Sequence, residues 1–351
     1  MSGAASVLER WLAPIPREPF AHLPTPIEPM SRLSEAVGGG ARLHAKRDDY
    51  AGFATGGNKA RQIEFYFGEA LAEGCDTVVI TGAVQSNFVR CTAAAAARLG
   101  MRCHIQLEDR VAGKGDEYHG GGNVLLDKLF GATLSTFPVG EDEGAADTRL
   151  EEIADELRSE GRKPYVIHLS PGYKPLSALG YVRAMGETLD QADTAGMNIS
   201  NIVLCSGSAA THAGTLVGLR LAGSNIPVTG SCVRRTADLQ APRVAQVIGL
   251  LQDLLGCGDV VDTAEIDCRD NWFAGGYGKL DDSTREALEM AGRLEGIPVD
   301  PTYTAKSMAA MIGLGRAGAF EADTDVLWIH TGGLPGLFAY WRDIYPDVVK
   351  F

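Results

Sequence analysis

Positive charge is scarce in this chain. Its 32 Lys and Arg stand against 45 Asp and Glu, a formal net charge of −13 at pH 7. Nucleic acids and anionic membrane surfaces are held by clustered Lys and Arg, so neither is expected as a partner. A long apolar run is missing too: no stretch approaches the roughly 18 to 20 residues of a membrane span. The opening residues MSGAASVLERWLAPIP bring charges early and no apolar core of signal-peptide length, so a cytoplasmic protein is expected. Nor are the cysteines paired. The seven, Cys75, Cys91, Cys103, Cys205, Cys232, Cys257 and Cys268, are an odd number without a CxxC, which argues against a disulfide framework or zinc ribbon. They read as small buried hydrophobes in a reducing compartment, and no metal is expected. Internal repeats and low-complexity linkers are also lacking.

What is present is the material of an ordinary globular enzyme. Hydrophobic residues make up 45% and charged ones 22% of 351 residues, a length beyond which one core usually stops growing. Two domains, or one with a large insertion, are expected, acting on a small molecule. Short β-branched runs recur at TVVIT (77–81), MRCHIQL (101–107), YVIHL (165–169), NIVLC (201–205), IPVTG (226–230) and DVLWIH (325–330), with helical patterns such as 88–99 and 145–160 between them. That alternation indicates a parallel sheet covered on both faces, whose ligands bind at the carboxyl ends of strands. The glycine-rich RVAGKGDEYHGGGN (110–123) reads as a surface loop.

Three strand ends stand out: GAVQSN (82–87), SGSAATHAGT (206–215) and TGGLPG (331–336). Each puts small residues and hydroxyls at a helix start, where free backbone N–H groups attract anions. The middle one, Ser206, Gly207, Ser208, Ala209, Ala210 and Thr211, has the most hydroxyls and is the expected phosphate site. His212 follows it, either near a ligand or on the helix surface, whereas His104 and His168 lie in apolar strands and read as core histidines. The fourth feature is ATGGNKARQIEF (54–65). Gly56 and Gly57 permit a tight turn and close approach to a ligand. Lys59 then falls in the first turn of a helix, where the dipole disfavours an ammonium and suits a lysine that must act as a nucleophile, commonly through a Schiff base.

Nine ordered segments carry a resemblance: HLPTPIEPMSRLS (22–34), KRDD (46–49), GGNKARQIEF (56–65), GAVQSN (82–87), GNVLLDKLFGA (122–132), GSAATHAG (207–214), GGYGK (275–279), DPTYTAKSM (300–308) and HTGG (330–333). Together they resemble the fold-type II pyridoxal-phosphate enzymes related to the tryptophan synthase β chain. The group in question contains D-cysteine desulfhydrase, L-cysteate sulfo-lyase and 1-aminocyclopropane-1-carboxylate deaminase. The resemblance implies an α/β fold with a doubly wound parallel sheet, residues 1–61 and 179–351 forming a large domain and 62–178 a smaller inserted αβα domain. It further implies a homodimer with pyridoxal 5'-phosphate between the domains and a small amino acid as substrate.

The site residues carried over are these. Lys59 binds the cofactor covalently beside Asn58, and Asn87 meets its phenolic oxygen. The phosphate rests on Ser206 to Thr211. Ser86, with its neighbouring amides and Phe88, receives the substrate carboxylate, and Tyr277 and Tyr303 face the substrate. Thr304 and Thr331 lie toward the pyridine nitrogen. Relatives commonly have glycines where Ala209 and Ala210 stand, and His or Gln where Phe88 stands. The deaminases have glutamate where this chain has Thr304, so the resemblance favours α,β-elimination of a β-sulfur amino acid, with L-cysteate ranked slightly above D-cysteine. The alternatives are a cyclopropane-carboxylate deaminase or a catalytically silent pyridoxal-phosphate-binding protein.

Overall fold

The computed structural model describes residues 3–140 and 142–347. The chain divides into two compact units: Met1–Pro14, Ala21–Gln62 and Lys174–Leu334 form the first, and Ile15–Phe20, Ile63–Tyr173 and Pro335–Phe351 the second. The strands are β1 (Ile27–Pro29), β2 (Arg42–Lys46), β3 (Thr77–Ala83), β4 (Arg102–Glu108), β5 (Thr133–Phe137), β6 (Pro164–Ile167), β7 (Ile199–Ser206), β8 (Val228–Cys232), β9 (Asp267–Arg269) and β10 (Asp325–Ile329).

In the first unit the sheet order is β1-β2-β10-β7-β8-β9. Only β1 runs antiparallel, on β2; the other pairs are parallel, with Leu327 opposite both His44 and Ile202. All five residues of β10 are buried, as its unbroken DVLWI sequence requires of a strand covered on both faces. Helices Ser31–Val37, Asp282–Glu295 and Thr304–Arg316 supply one apolar cluster with Leu43, Val203 and Trp328. Helices Leu176–Ala195 and Ala210–Leu221 pack closely through glycine: a Cβ on Gly214 would lie 2.2 Å from the carbonyl oxygen of Ala178. The second unit is a four-stranded parallel sheet, β5-β4-β3-β6, whose central β3 is buried throughout. Each unit is thus a largely parallel sheet with helices, as the alternating pattern indicated, and the α/β class is the one that the resemblance implied.

Two details differ from the sequence expectation. Residues 15–20 and 335–351 cluster with the smaller unit. Arg17 pairs with Glu64 at 2.7 Å, Phe20 meets Phe67 edge-on at 5.6 Å, and Tyr340 meets Tyr118 edge-on at 5.4 Å. The glycine-rich stretch 110–123 is also more ordered than a loop. It contains helix Asp116–Gly120, and Gly122 opens the next helix at φ 55°, where the Gln85 side chain leaves no room for a Cβ.

The boundary between the units falls within helix Asn58–Ala72, and its first turn is fixed by a buried ion cluster. Arg61 places Nε and Nη2 on Asp48 at 3.0 and 2.8 Å, and Nη1 and Nη2 on Glu187 at 3.0 and 2.9 Å. Lys46 adds Glu187, Thr25 O and Gln191 at 2.5, 2.7 and 2.6 Å, and Tyr181 donates to Asp48 at 2.6 Å. Burial pushes the Asp48 carboxyl up, yet Arg61 and Lys46 bring it below the usual carboxylate range; burial lowers Lys46. Two cations and two anions balance, which is the condition for keeping such groups out of water. Arg61→Met leaves both carboxylates without their fork and is expected to destabilise the protein by about 3–5 kcal/mol. Arg61→Lys keeps the charge but loses the second fork and falls between. Urea midpoints of the three proteins check this.

Candidate active site

The first unit brings four loops together at the carboxyl ends of its strands. Ahead of Lys59, four consecutive residues are left-handed: Ala54, Thr55, Gly56 and Gly57, at φ 47°, 71°, 73° and 96°. A Cβ on Gly56 would stand 1.8 Å from the carbonyl oxygen of Asp49, and one on Gly57 2.9 Å from that of Thr331. These glycines therefore serve the approach of backbone to backbone, where the sequence suggested approach to a ligand. Asn58 N–H donates to Thr331 O at 3.1 Å, tying the helix start to the end of β10.

Lys59 Nζ donates to Gln62 Oε1 at 2.8 Å. Gln62 Nε2 donates to Thr211 Oγ1 at 2.9 Å, and Asn58 Nδ2 donates to the same oxygen at 2.9 Å. Both acceptor positions of the Thr211 hydroxyl are thereby taken, which leaves it only a donor's role toward a ligand. Thr211 lies in the first turn of helix Ala210–Leu221, whose N-cap, Ala209, is left-handed at φ 79° and provides no side-chain cap. The alanine thus adopts a conformation that glycine takes more readily, at a cost of about 1–3 kcal/mol. Arg235 and Arg243 donate to the carbonyl oxygens of Gly207 and Ser208 at 3.3 and 3.4 Å. Ser206 differs from expectation: its hydroxyl accepts from Gln240 at 3.0 Å and lies 3.3 Å from His212 Nδ1. His212 is fully buried, which removes the helix-surface reading.

The remaining loops meet in two further contacts. Tyr277 and Tyr303 join hydroxyl to hydroxyl at 2.5 Å, their rings edge to face at 5.7 Å. Thr304 donates to Asp300 Oδ1 at 2.8 Å and accepts from the Asp300 N–H at 2.7 Å, so its hydroxyl is committed to its own helix start. Burial raises the Asp300 carboxyl against four donors, the N–H groups of Thr302, Tyr303 and Thr304 and the Thr304 hydroxyl. Thr331 Oγ1 lies 3.2 Å from Cys205 Sγ, whose thiol burial pushes up to about 11.

In the second unit, Ser86 Oγ caps helix Asn87–Arg98 by accepting from the amides of Phe88 and Val89 at 3.2 and 3.4 Å. Those two amides, expected to serve a carboxylate, are thereby engaged. The Ser86 O–H remains a donor, and Asn87 Oδ1 is buried without a hydrogen-bond partner.

These residues fit a phosphorylated aldehyde. An uncapped twelve-residue helix with small residues at its start suits a dianion, and a lysine amine lies one glutamine away. A family profile described as "Pyridoxal-phosphate dependent enzyme" matches residues 19–332. The chain belongs to that family. Its cofactor is pyridoxal 5'-phosphate. The D-cysteine desulfhydrase of Salmonella typhimurium is 40% identical over 329 residues, covering 94% of this chain and 97% of that one. The protein of the same name from Salmonella typhi is 39% identical over the same length. Among solved structures, one described as an ACC deaminase homologue superimposes with a TM-score of 0.86 at 34% identity, covering 97% of this chain and 98% of that one.

Three residues of this pyridoxal-phosphate enzyme escaped the sequence reading: Gln62, Arg235 and Asp300. Gln62 had a signal, three residues after Lys59 on one helix face. Asp300 had one in its place ahead of the Thr304 helix. Apo-enzyme titrated with pyridoxal phosphate separates the hydroxyls. Thr211→Val is expected to weaken binding by about one to two decades, because it removes a donor and strands Asn58 and Gln62. Ser206→Ala is expected to remain within about threefold of wild type.

Proposed function

We propose that this carbon–sulfur lyase removes sulfide from D-cysteine, yielding pyruvate and ammonia. The observation that carries the proposal is the phenol pair of Tyr277 and Tyr303 in a chain whose relatives bear the name D-cysteine desulfhydrase. The two hydroxyls share one hydrogen bond, and a phenol of such a pair can pass a proton to a departing group. A departing thiolate needs that proton. A sulfite leaves as a stable anion and does not, and Phe88 adds no donor for a sulfonate. The leaning toward L-cysteate therefore gives way to D-cysteine.

The helix start from Ser206 to Thr211 would hold the cofactor phosphate, with Thr211 and the backbone N–H groups as donors. Lys59, beside Asn58, would bind the aldehyde, Asn87 would serve the phenolic oxygen and Thr331 the pyridine nitrogen. Thr304 acts through Asp300 to fix Tyr303. When bound, the cofactor supplies the electron sink that an elimination requires. Lys59 Nζ takes the α-proton, and Gln62 orients that amine. Ser86 Oγ donates to the substrate carboxylate. The free state of all seven cysteines suits a cytoplasmic setting. No described helix is long and apolar enough to cross a membrane. A homodimer belongs to the same proposal.

Keto-acid release from D-cysteine, L-cysteate and aminocyclopropane-carboxylate in parallel tests the reading. Pyruvate with sulfide from D-cysteine is expected at a kcat/KM at least about tenfold above the others, a margin of ~1.4 kcal/mol. A higher kcat/KM for sulfite release from L-cysteate overturns the substrate. Release of α-ketobutyrate as the main reaction overturns the elimination.

A further inference from the structure

Lys306 is fully buried in the first turn of helix Thr304–Arg316, where the helix dipole opposes a cation. Its Nζ donates to the carbonyl oxygens of Val233, Phe273 and Gly276 at 3.2, 2.8 and 2.6 Å. An ammonium has three hydrogens, and three carbonyls receive them. Two of these carbonyls belong to the segment that carries Tyr277, and Gly276 directly precedes it. That segment has no regular structure, and Ala274, Gly275, Gly276 and Gly278 are left-handed at φ 57°, 71°, 144° and 67°. Such a loop does not hold its shape by local preference and needs a tether. The same helix start supplies Tyr303, so the loop is tied to it twice, phenol to phenol and carbonyl to ammonium.

We infer that Lys306 is a positioning residue whose ammonium holds the 273–277 segment, and with it the Tyr277 hydroxyl, in the geometry that the elimination uses. The inference rests on the catalytic reading of Tyr277 given above. Loss of one proton leaves two donors for three carbonyls and turns a lone pair toward the third, which releases the segment. Burial lowers the ammonium to about 8, against 10.5 for an ordinary lysine. Asp300 and Asp281 favour the charge and Lys279 opposes it. Tyr277, Tyr303, Cys232, Arg234, Arg235, Arg269 and Asp270 are further ionisable groups of the loop, the helix start and the adjoining strand ends. Between pH 8 and 10.5 the unfolded chain retains a proton that folded Lys306 has released, so this group makes folding more favourable as pH rises. The loosening is local and opposite in sense to that global trend.

Hydrogen exchange of the peptide covering 270–279 in wild-type holoenzyme, corrected for intrinsic rates, requires no variant. Protection is expected to fall about 10- to 100-fold as pH passes through about 8, while helix Leu176–Ala195 stays protected. Constant protection across that range overturns the inference. Lys306→Met supplies the second arm: at about pH 7 it is expected to show the exposed exchange pattern, a kcat about tenfold lower, a KM within about twofold, and no alkaline limb near 8. Tyr277→Phe separates the two readings. If it keeps full kcat, the catalytic reading of Tyr277 fails. If it loses kcat while Lys306→Met keeps wild-type exchange and pH profile, the tether fails alone.

Discussion

The guanidinium of Arg61, forked at once onto Asp48 and Glu187, is the interaction on which the position of Lys59 depends. One residue, Ala60, separates the fork from the amine, within one helical turn. The fork joins that turn to the end of β2 and to helix Leu176–Ala195, and Gly180 lets this second helix approach so closely that a Cβ there would lie 2.6 Å from Arg61 O. A buried ion cluster is a weak source of net stability, but it tolerates few alternative geometries. Here it fixes direction: the first turn cannot rotate without stranding two carboxylates.

Strain gathers at the same end of the sheet. Thr55, a β-branched residue, holds φ 71°, with Ala54 beside it, and Ala209 and Ala274 hold φ 79° and 57°. Non-glycine residues in this region cost about 1–3 kcal/mol each and persist where the surroundings over-determine them. The surroundings here are hydrogen bonds that cross between loops: Asn58 and Gln62 to Thr211, Asn58 N–H to Thr331, Lys306 to three carbonyls, Tyr277 to Tyr303. Each loop is held by a neighbour and not by its own sequence. The phosphate helix shows the consequence, since an alanine can stand where glycine is usual when the loop around it is clamped by Arg235 and Gln240.

Much of this was legible in the sequence, and the limits have physical reasons. Strands β3, β4, β6, β7, β8 and β10 announced themselves as apolar β-branched runs, as parallel strands covered on both faces do. Strands β1, β2, β5 and β9 did not. The segment IEP of β1 is three residues with a proline, which edge strands tolerate, and TLSTF of β5 is half exposed and lacks alternation. Lys59, Tyr277 and Tyr303 could be found because glycine or Asp-Pro marks their loops. Gln62, Arg61 and Lys306 could be seen but not interpreted, since their partners lie in distant segments. Thr304 shows the reverse case, since the partner of its hydroxyl, Asp300, stands only four residues earlier.

The central claim is that this fixed turn presents Lys59, and no other lysine, to the cofactor. Borohydride reduction of the holoenzyme followed by peptide mapping tests it most directly. The account predicts a single pyridoxyl group on Lys59, in the peptide spanning GGNKARQIEF. A pyridoxyl group on either buried lysine, Lys46 or Lys306, or on any other lysine besides Lys59, contradicts it.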